Sequence, residues 1–415
     1  MLDKKSENMI KFASHNVSFG GILVYKLKRI LEFARFFCML ILAETASIFV
    51  KPCKKYADLW IVSERGKDAR DNGYHFFKYI TKEHPEINSA YVISKDSPDY
   101  EKVARLGRVI NYGSFAHYTA YILASAKIST HIEGYAPDIL FFNKFSKFIP
   151  QRGKNIFLQH GIIRDDIKFC HAQRTNLDMF VCSAVPEYEY IDKSFGYKKG
   201  VLQLVGLCRY DNLKRNEKPV HKILFMPTWR SSLRSCSRHT FMLSEYFKKY
   251  NSLLNSKKLA ELLQKYDYEF VFYPHYEVQR FLDCFKTDSS RVKIADFEHN
   301  DVQELLIDSD ILITDYSSVF FDYGYMRKPM IYYQYDEAEY RADHYQKGYF
   351  DCESDGFGKV AETEENIIEE LYHILENGAM PDDKYLDRMN SFFKFNDTDN
   401  CKRNFEAILK LTHKG

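Results

Sequence analysis

A chain of 415 residues with 45% apolar side chains is long enough for two domains, each with its own core. Its 28% charged residues nearly cancel to a net charge of +2, so no global field argues for a nucleic-acid partner. Nine cysteines without a CxxC pair or a zinc-like spacing point to a reducing cytoplasm, to thiols acting as small core residues, and to no resident metal or other cofactor.

No cleavable signal peptide is apparent. The first composition shift is residues 22–50, rich in Leu, Ile, Phe and Ala yet carrying Lys26, Lys28, Arg29, Glu32, Arg35 and Glu44. Its longest uncharged run, Phe36 to Ala43, is short of the ~20 residues that span a bilayer. Ile22, Leu23, Leu27, Ile30, Leu31, Ala34, Cys38, Ile41 and Leu42 share one helical face, so residues 1–55 read as a basic amphipathic segment resting on a membrane surface.

From Tyr56 to about residue 210, short apolar strands alternate with helical stretches such as Asp71–Thr81 and Tyr112–Ala126. The charged, Pro-bearing run Asp211–His221 reads as a linker, and a second series follows over residues 211–395. Its strands are expected at 223–226, 269–273, 311–313 and 330–335, with helices at 256–266, 275–285 and 317–326 between them. Late helices fall at Glu364–Leu375 and Asn400–Leu411, and the segment 396–415 can cross back to the first domain. The expected fold is α/β, with two Rossmann-like domains facing across a central cleft.

Several strands run into polar residues able to do chemistry. Leu59–Val62 leads to Glu64 and Arg65, Asn155–Leu158 to Gln159-His160-Gly161, Ile223–Met226 to Pro227-Thr228-Trp229-Arg230, and Glu269–Tyr273 to Pro274-His275. In parallel α/β sheets, ligands bind beyond the carboxyl ends of the strands. Ile311–Ile313 breaks into Thr314, Asp315, Tyr316, Ser317 and Ser318 before a helix that opens at Ser317 or Ser318. Free N–H groups and the positive dipole end there suit a phosphate. His160 is placed as a general base, His275 as a phosphate contact or acid, and Arg230 as a bidentate phosphate clamp. The DxD run Asp308-Ser309-Asp310 lies at the amino end of its strand, away from such a site, and reads as a helix terminus and loop. There is no GxxxxGK[ST], GxGxxG or HExxH.

Together SERGKDARDNGYHFFKY (63–79), QHG (159–161), PTWR (227–230), YPH (273–275) and TDYSSVFFDYGYMRKPMIYY (314–333) resemble the CDP-glycerol and CDP-ribitol polyol-phosphate transferases of teichoic acid and capsule synthesis. The resemblance runs from about residue 59 to 335. It implies a GT-B-like fold and a peripheral enzyme at the cytoplasmic face of the membrane. A hydroxyl of a lipid-linked or polymeric acceptor would attack the polyol-bearing phosphate of a CDP-polyol, most simply CDP-glycerol, releasing CMP. By this pattern His160 is the base, while His275, Arg230, Thr314, Asp315, Ser317 and Ser318 meet the donor phosphates. Glu64, Arg70 and Asn72 fall on the possible acceptor side. Two departures bear on acceptor and polyol: HGIIRDD stands where many relatives read HGTPLK, and Gly206–Asp211 lacks the proline of a GxPRxD-like segment. The alternatives are a GT-B glycosyltransferase or sugar-nucleotide enzyme using a UDP- or GDP-sugar, and a non-catalytic scaffold of a wall-assembly complex.

Overall fold

The computed structural model describes residues 19–145, 149–150, 152–343 and 346–413. It divides into two compact units, one of residues 1–70 and 80–155, the other of residues 71–79 and 156–415.

In the first unit, strands β1 (Trp60–Ser63), β2 (Ser89–Ile93), β3 (Val109–Asn111) and β4 (Ala126–Ser129) lie side by side in the order β3-β2-β1-β4. All are parallel, with Trp60 opposite both Ser89 and Ala126. β1 and β4 are buried along their whole length, as expected of parallel strands covered on both faces. The unit begins with the 32-residue helix α1 (Phe19–Val50). Helix α2 (Asn72–Glu83) carries the chain out of and back into it.

Helix α1 buries Phe36, Leu40, Ala43 and Ser47, a stripe at helical spacing. It packs on α3 (Phe115–Leu123) and α4 (Ile139–Phe145), with the Phe36 ring 5.2 Å from Phe141 and 5.3 Å from Phe142. Burying Phe36 alone contributes about 2 kcal/mol. Leu27, Ile30, Leu31, Ile41, Leu42, Ile48 and Phe49 stay exposed on the other side. The stripe expected from sequence is therefore the exposed one over its described part, and a second apolar stripe holds the helix to the body. The side chains of Ile22 and Leu23 lie outside the described residues. By length and composition alone, the 24 residues Leu27–Val50 are enough to cross a membrane, which the count of uncharged residues had spoken against.

The second unit holds two sets of parallel strands. The end of β5 (Lys154–Phe157) pairs with β6 (Met179–Cys182), which pairs with β7 (Leu202–Leu204), and helix α5 (Val185–Ser194) follows β6. A six-stranded parallel sheet has the order β10-β9-β8-β11-β12-β13. Its strands are β8 (Lys222–Phe225), β9 (Glu269–Phe272), β10 (Val292–Ile294), β11 (Ile311–Thr314), β12 (Met330–Tyr333) and β13 (Lys359–Ala361). Helices α6 (Lys257–Tyr266), α7 (Val319–Tyr325), α8 (Glu337–Asp343), α9 (Glu364–Glu376) and α10 (Asn400–Thr412) complete the elements used below. Leu259, Leu262 and Leu263 of α6 and Ile367, Leu371 and Ile374 of α9 join Ile223, Phe225, Phe270, Ile311 and Ile313 in one core.

The strand order matters for function because β8 lies between β9 and β11. The segments PTWR, YPH and TDYSS thus leave neighbouring strand ends. The stretch expected as a helix over 275–285 is a 3₁₀ helix, Tyr276–Cys284, with Val278 N bonding His275 O at 2.8 Å. The DxD aspartate Asp310 accepts hydrogen bonds from the backbone N–H groups of Val220 and His221, so it secures the chain entering β8.

Candidate active site

His160 leaves the end of β5 with its side chain 68% exposed. Its Nδ1 lies 2.5 Å from Asp71 Oδ2, just before α2. Asp71 is almost enclosed. Burial alone would raise its pKa, but Arg209, His160 and the backbone N–H of Asn72 overcome this and hold the carboxyl far below the usual carboxylate range. An ionised Asp71 can only accept, so Nδ1 of His160 carries the hydrogen and Nε2 is the basic nitrogen of the neutral ring.

Arg209 locks this pair in place. Its Nη1 donates to Asp71 Oδ1 at 2.8 Å and to His160 O at 2.6 Å. Its Nε and Nη2 grip both oxygens of Asp322 on α7 at 2.6 and 2.9 Å. A bidentate carboxylate on one edge and the dyad on the other fix the guanidinium plane. Asp211, two residues on, accepts from Asn400 N and Cys401 N and so caps α10 onto the same segment.

The turn around Ser318 meets the His160 turn. A methyl added at Gly161 would stand 3.4 Å from Ser318 Oγ and 3.7 Å from Arg209 Nη2, so glycine leaves the space between open. Ser318 is the N-cap residue of α7, and its side chain is exposed while Ser317 is half-buried. Thr314 and Asp315 point inward. Thr314 Oγ1 donates to Met226 O at 2.7 Å, and fully buried Asp315 accepts from Thr228 N, Tyr316 N and Arg230.

Arg230 is buried between two carboxylates. Nε and Nη2 take Asp336 at 2.6 and 3.0 Å, and Nη1 takes Asp315 at 2.8 Å. Its guanidinium therefore braces the TDYSS turn. His275 caps its 3₁₀ helix, Nδ1 accepting from Glu277 N at 3.3 Å, and its ring stacks on Trp229 with centroids 6.1 Å apart. Burial pushes its pKa down to about 4, so at neutral pH the ring is neutral and Nε2 carries the hydrogen, a donor for a phosphate oxygen.

The three residues expected on the acceptor side are engaged by the protein itself. Asn72 is fully buried, donating from Nδ2 to Gln159 O and accepting at Oδ1 from Arg209 N, which braces the His160 turn. In the other unit, Glu64 accepts from Arg70 N, and Arg70 Nε donates to Asp99. Asp71, Arg209 and Asp322 were not singled out from sequence. Each lies inside a segment that was, yet only the fold reveals that the three converge.

Residues 44–410 match the family model described as CDP-Glycerol:Poly(glycerophosphate) glycerophosphotransferase. Minor teichoic acid biosynthesis protein GgaB of Bacillus subtilis (strain 168) is 35% identical over 369 residues, covering 85% of this chain and 40% of that protein. A teichoic acid poly(glycerol phosphate) polymerase of Staphylococcus epidermidis is 25% identical over 393 residues, 84% of this chain and 49% of its own length. The chain thus spans less than half the length of these two relatives. The solved structure of the wall teichoic acid polymerase TagF shares the fold, with a TM-score of 0.64 at 17% identity over 94% of this chain and 98% of that one.

Proposed function

Because the chain belongs to the CDP-glycerol:poly(glycerophosphate) glycerophosphotransferase family, we propose that it transfers glycerol phosphate from CDP-glycerol to a hydroxyl of a lipid-linked or polymeric acceptor in teichoic acid synthesis. The single observation that carries this reading is the Asp71–His160 dyad, its imidazole 68% exposed and its turn meeting that of Ser318 at Gly161. The acceptor hydroxyl gives its proton to His160 Nε2 as its oxygen bonds to the glycerol-bearing phosphorus. The P–O bond to the α-phosphate breaks, and CMP leaves with the electron pair. The resulting imidazolium is held by the Asp71 carboxylate. Ser318, the adjoining Ser317 and the neutral Nε2–H of His275 supply donors for the phosphate oxygens, while Arg230, Thr314 and Asp315 set the shape of the turn. In support of the donor, a TagF variant has been solved after soaking with CDPG.

Helix α1 supports a membrane-surface location. Its exposed Leu27, Ile30, Leu31, Ile41, Leu42, Ile48 and Phe49, with Lys28 and Arg29 nearby, form an apolar and basic face suited to a lipid surface. This would keep the enzyme beside a lipid-linked acceptor.

The test is CMP release by the purified protein from CDP-glycerol and, separately, CDP-ribitol, with an oligomeric polyol-phosphate acceptor and His160→Ala alongside. CMP from one donor, abolished in the variant, names the polyol. Turnover of a UDP- or GDP-sugar with no CMP from either donor would replace this reading by a glycosyltransferase.

A further inference from the structure

Glu187, on the first turn of α5, is a fully buried carboxylate that the mechanism above does not use. Its Oε1 accepts from Ile163 N at 2.7 Å and from Gln159 Nε2 at 2.9 Å. Its Oε2 accepts from Ser183 N at 2.9 Å and Ala184 N at 3.4 Å. Gln159 also donates from Nε2 to Val181 O at 2.6 Å, and Asn72 holds its carbonyl at 2.8 Å. The turn these bonds secure is Gln159 to Ile163, and His160 is inside it.

The turn needs such a fastening. Gln159 has φ +63°, a left-handed conformation that a residue with a Cβ adopts at a cost. Gly161 has no side chain to pack. The base is therefore presented from a short, strained loop whose fixed points are Asn72 at one end and Glu187 at the other. We propose that Glu187 is the positioning residue of this turn: by gathering the Gln159 side chain and the Ile163 amide on one carboxylate, it fixes where the His160 imidazole stands. The inference rests on the reading of His160 as the base.

The chemistry of the cluster explains why a carboxylate stands there. All four partners are N–H donors, so an acceptor-only group satisfies them and a protonated or amide side chain cannot. The titratable groups facing Glu187 are the Cys182 thiol of β6, the Tyr210 phenol and the Tyr349 phenol, each pushed up by burial and so neutral. Burial pushes Glu187 itself up to about 7, its four hydrogen bonds pulling the other way. In its ionised form the carboxylate is met by backbone and amide dipoles, which favour that form against burial.

The experiment uses the full chain with ring-labelled histidine, the His160 signal being identified by its loss in His160→Ala. In Glu187→Gln an amide N–H₂ must face one pair of donors. The His160 ring signal is expected to shift or broaden while that of His275 stays in place. The kcat for CMP release should fall roughly tenfold or more, with CDP-glycerol affinity by calorimetry kept within about twofold. Glu187→Asp, which keeps the charge on a shorter arm, should recover part of the loss, and carries the same readouts should the Gln variant not fold. An unmoved His160 signal, or an unchanged kcat, overturns the assignment. If His160→Ala itself retains turnover, the base reading fails, and the ring signal alone still decides whether Glu187 positions the turn.

Discussion

The His160 turn and the Arg230 turn are made of the same material, a parallel strand ending in charged and polar residues, and they do opposite things with it. Arg230 is enclosed by Asp315 and Asp336, and its charge is taken up inside the protein. His160 has the Asp71 carboxylate on Nδ1 and a side chain that is largely exposed. Arg209, nearly as enclosed, puts one edge of its guanidinium on Asp322 and lends the other to the dyad. A strand-end position therefore marks where a site can be. The partner inventory tells which groups face the ligand and which hold the scaffold.

The comparison breaks most visibly at His160. His160→Ala should lower the rate of CMP release by about 10²–10⁴-fold, the range lost with a general base, with little change in Tm because the ring is largely exposed. Asp71→Asn is expected to cost roughly 10²-fold or more in kcat. An Asn amide can donate to Nδ1 and so leave the hydrogen on Nε2, and the loss should persist at saturating donor.

Arg230→Met tests the other side of the contrast. Removing the guanidinium leaves Asp315 and Asp336 buried without their cation, a loss of about 3–5 kcal/mol, read as a lower Tm and denaturation midpoint. A guanidinium that served only to clamp phosphate would instead raise KM and leave Tm in place. Ser318→Ala removes one exposed hydroxyl beside Gly161 and should raise the donor KM by about tenfold or less, the worth of a single hydrogen bond of ~1 kcal/mol, without touching Tm.

The smallest effect concerns pH. His275 is held neutral to about pH 4 by burial, against 6.5 when free. Between these values the native state binds fewer protons than the unfolded one, so this residue's contribution to stability falls as pH drops from 6.5 toward 4. Its ring signal should stay flat from pH 8 to about 5.5, and His275→Gln should lessen the acid loss of Tm. A His275 midpoint near 6.5 would remove it from the neutral donors assigned here.

Much of this was legible in the chain. The apolar runs ending at Val62, Met226, Tyr273 and Ile313 declare strands, because β-rich segments bounded by Pro, Gly or polar turns have few other options. The helix after Ser318 was equally visible. Short edge elements such as β3, β10 and β13, three residues each, carry too little pattern to be read and owe their pairing to neighbours. The role of α1 also needed the fold. It has two apolar stripes, and only the packing of Phe36 on Phe141 and Phe142 shows which one the body takes.

The sequence by itself determined the fold class and the strand-end places of His160, His275 and the Ser317–Ser318 turn, since these follow from local pattern and turn chemistry, while the family came from the resemblance of its motifs. The tertiary structure alone decided which polar groups work on one another. Asp71 precedes His160 by 89 residues and Asp322 follows Arg209 by 113, so no local pattern could pair them. Whether a charged side chain serves the ligand or the scaffold depends on which opposite charge the fold brings within about 3 Å, where buried ionic hydrogen bonds are formed.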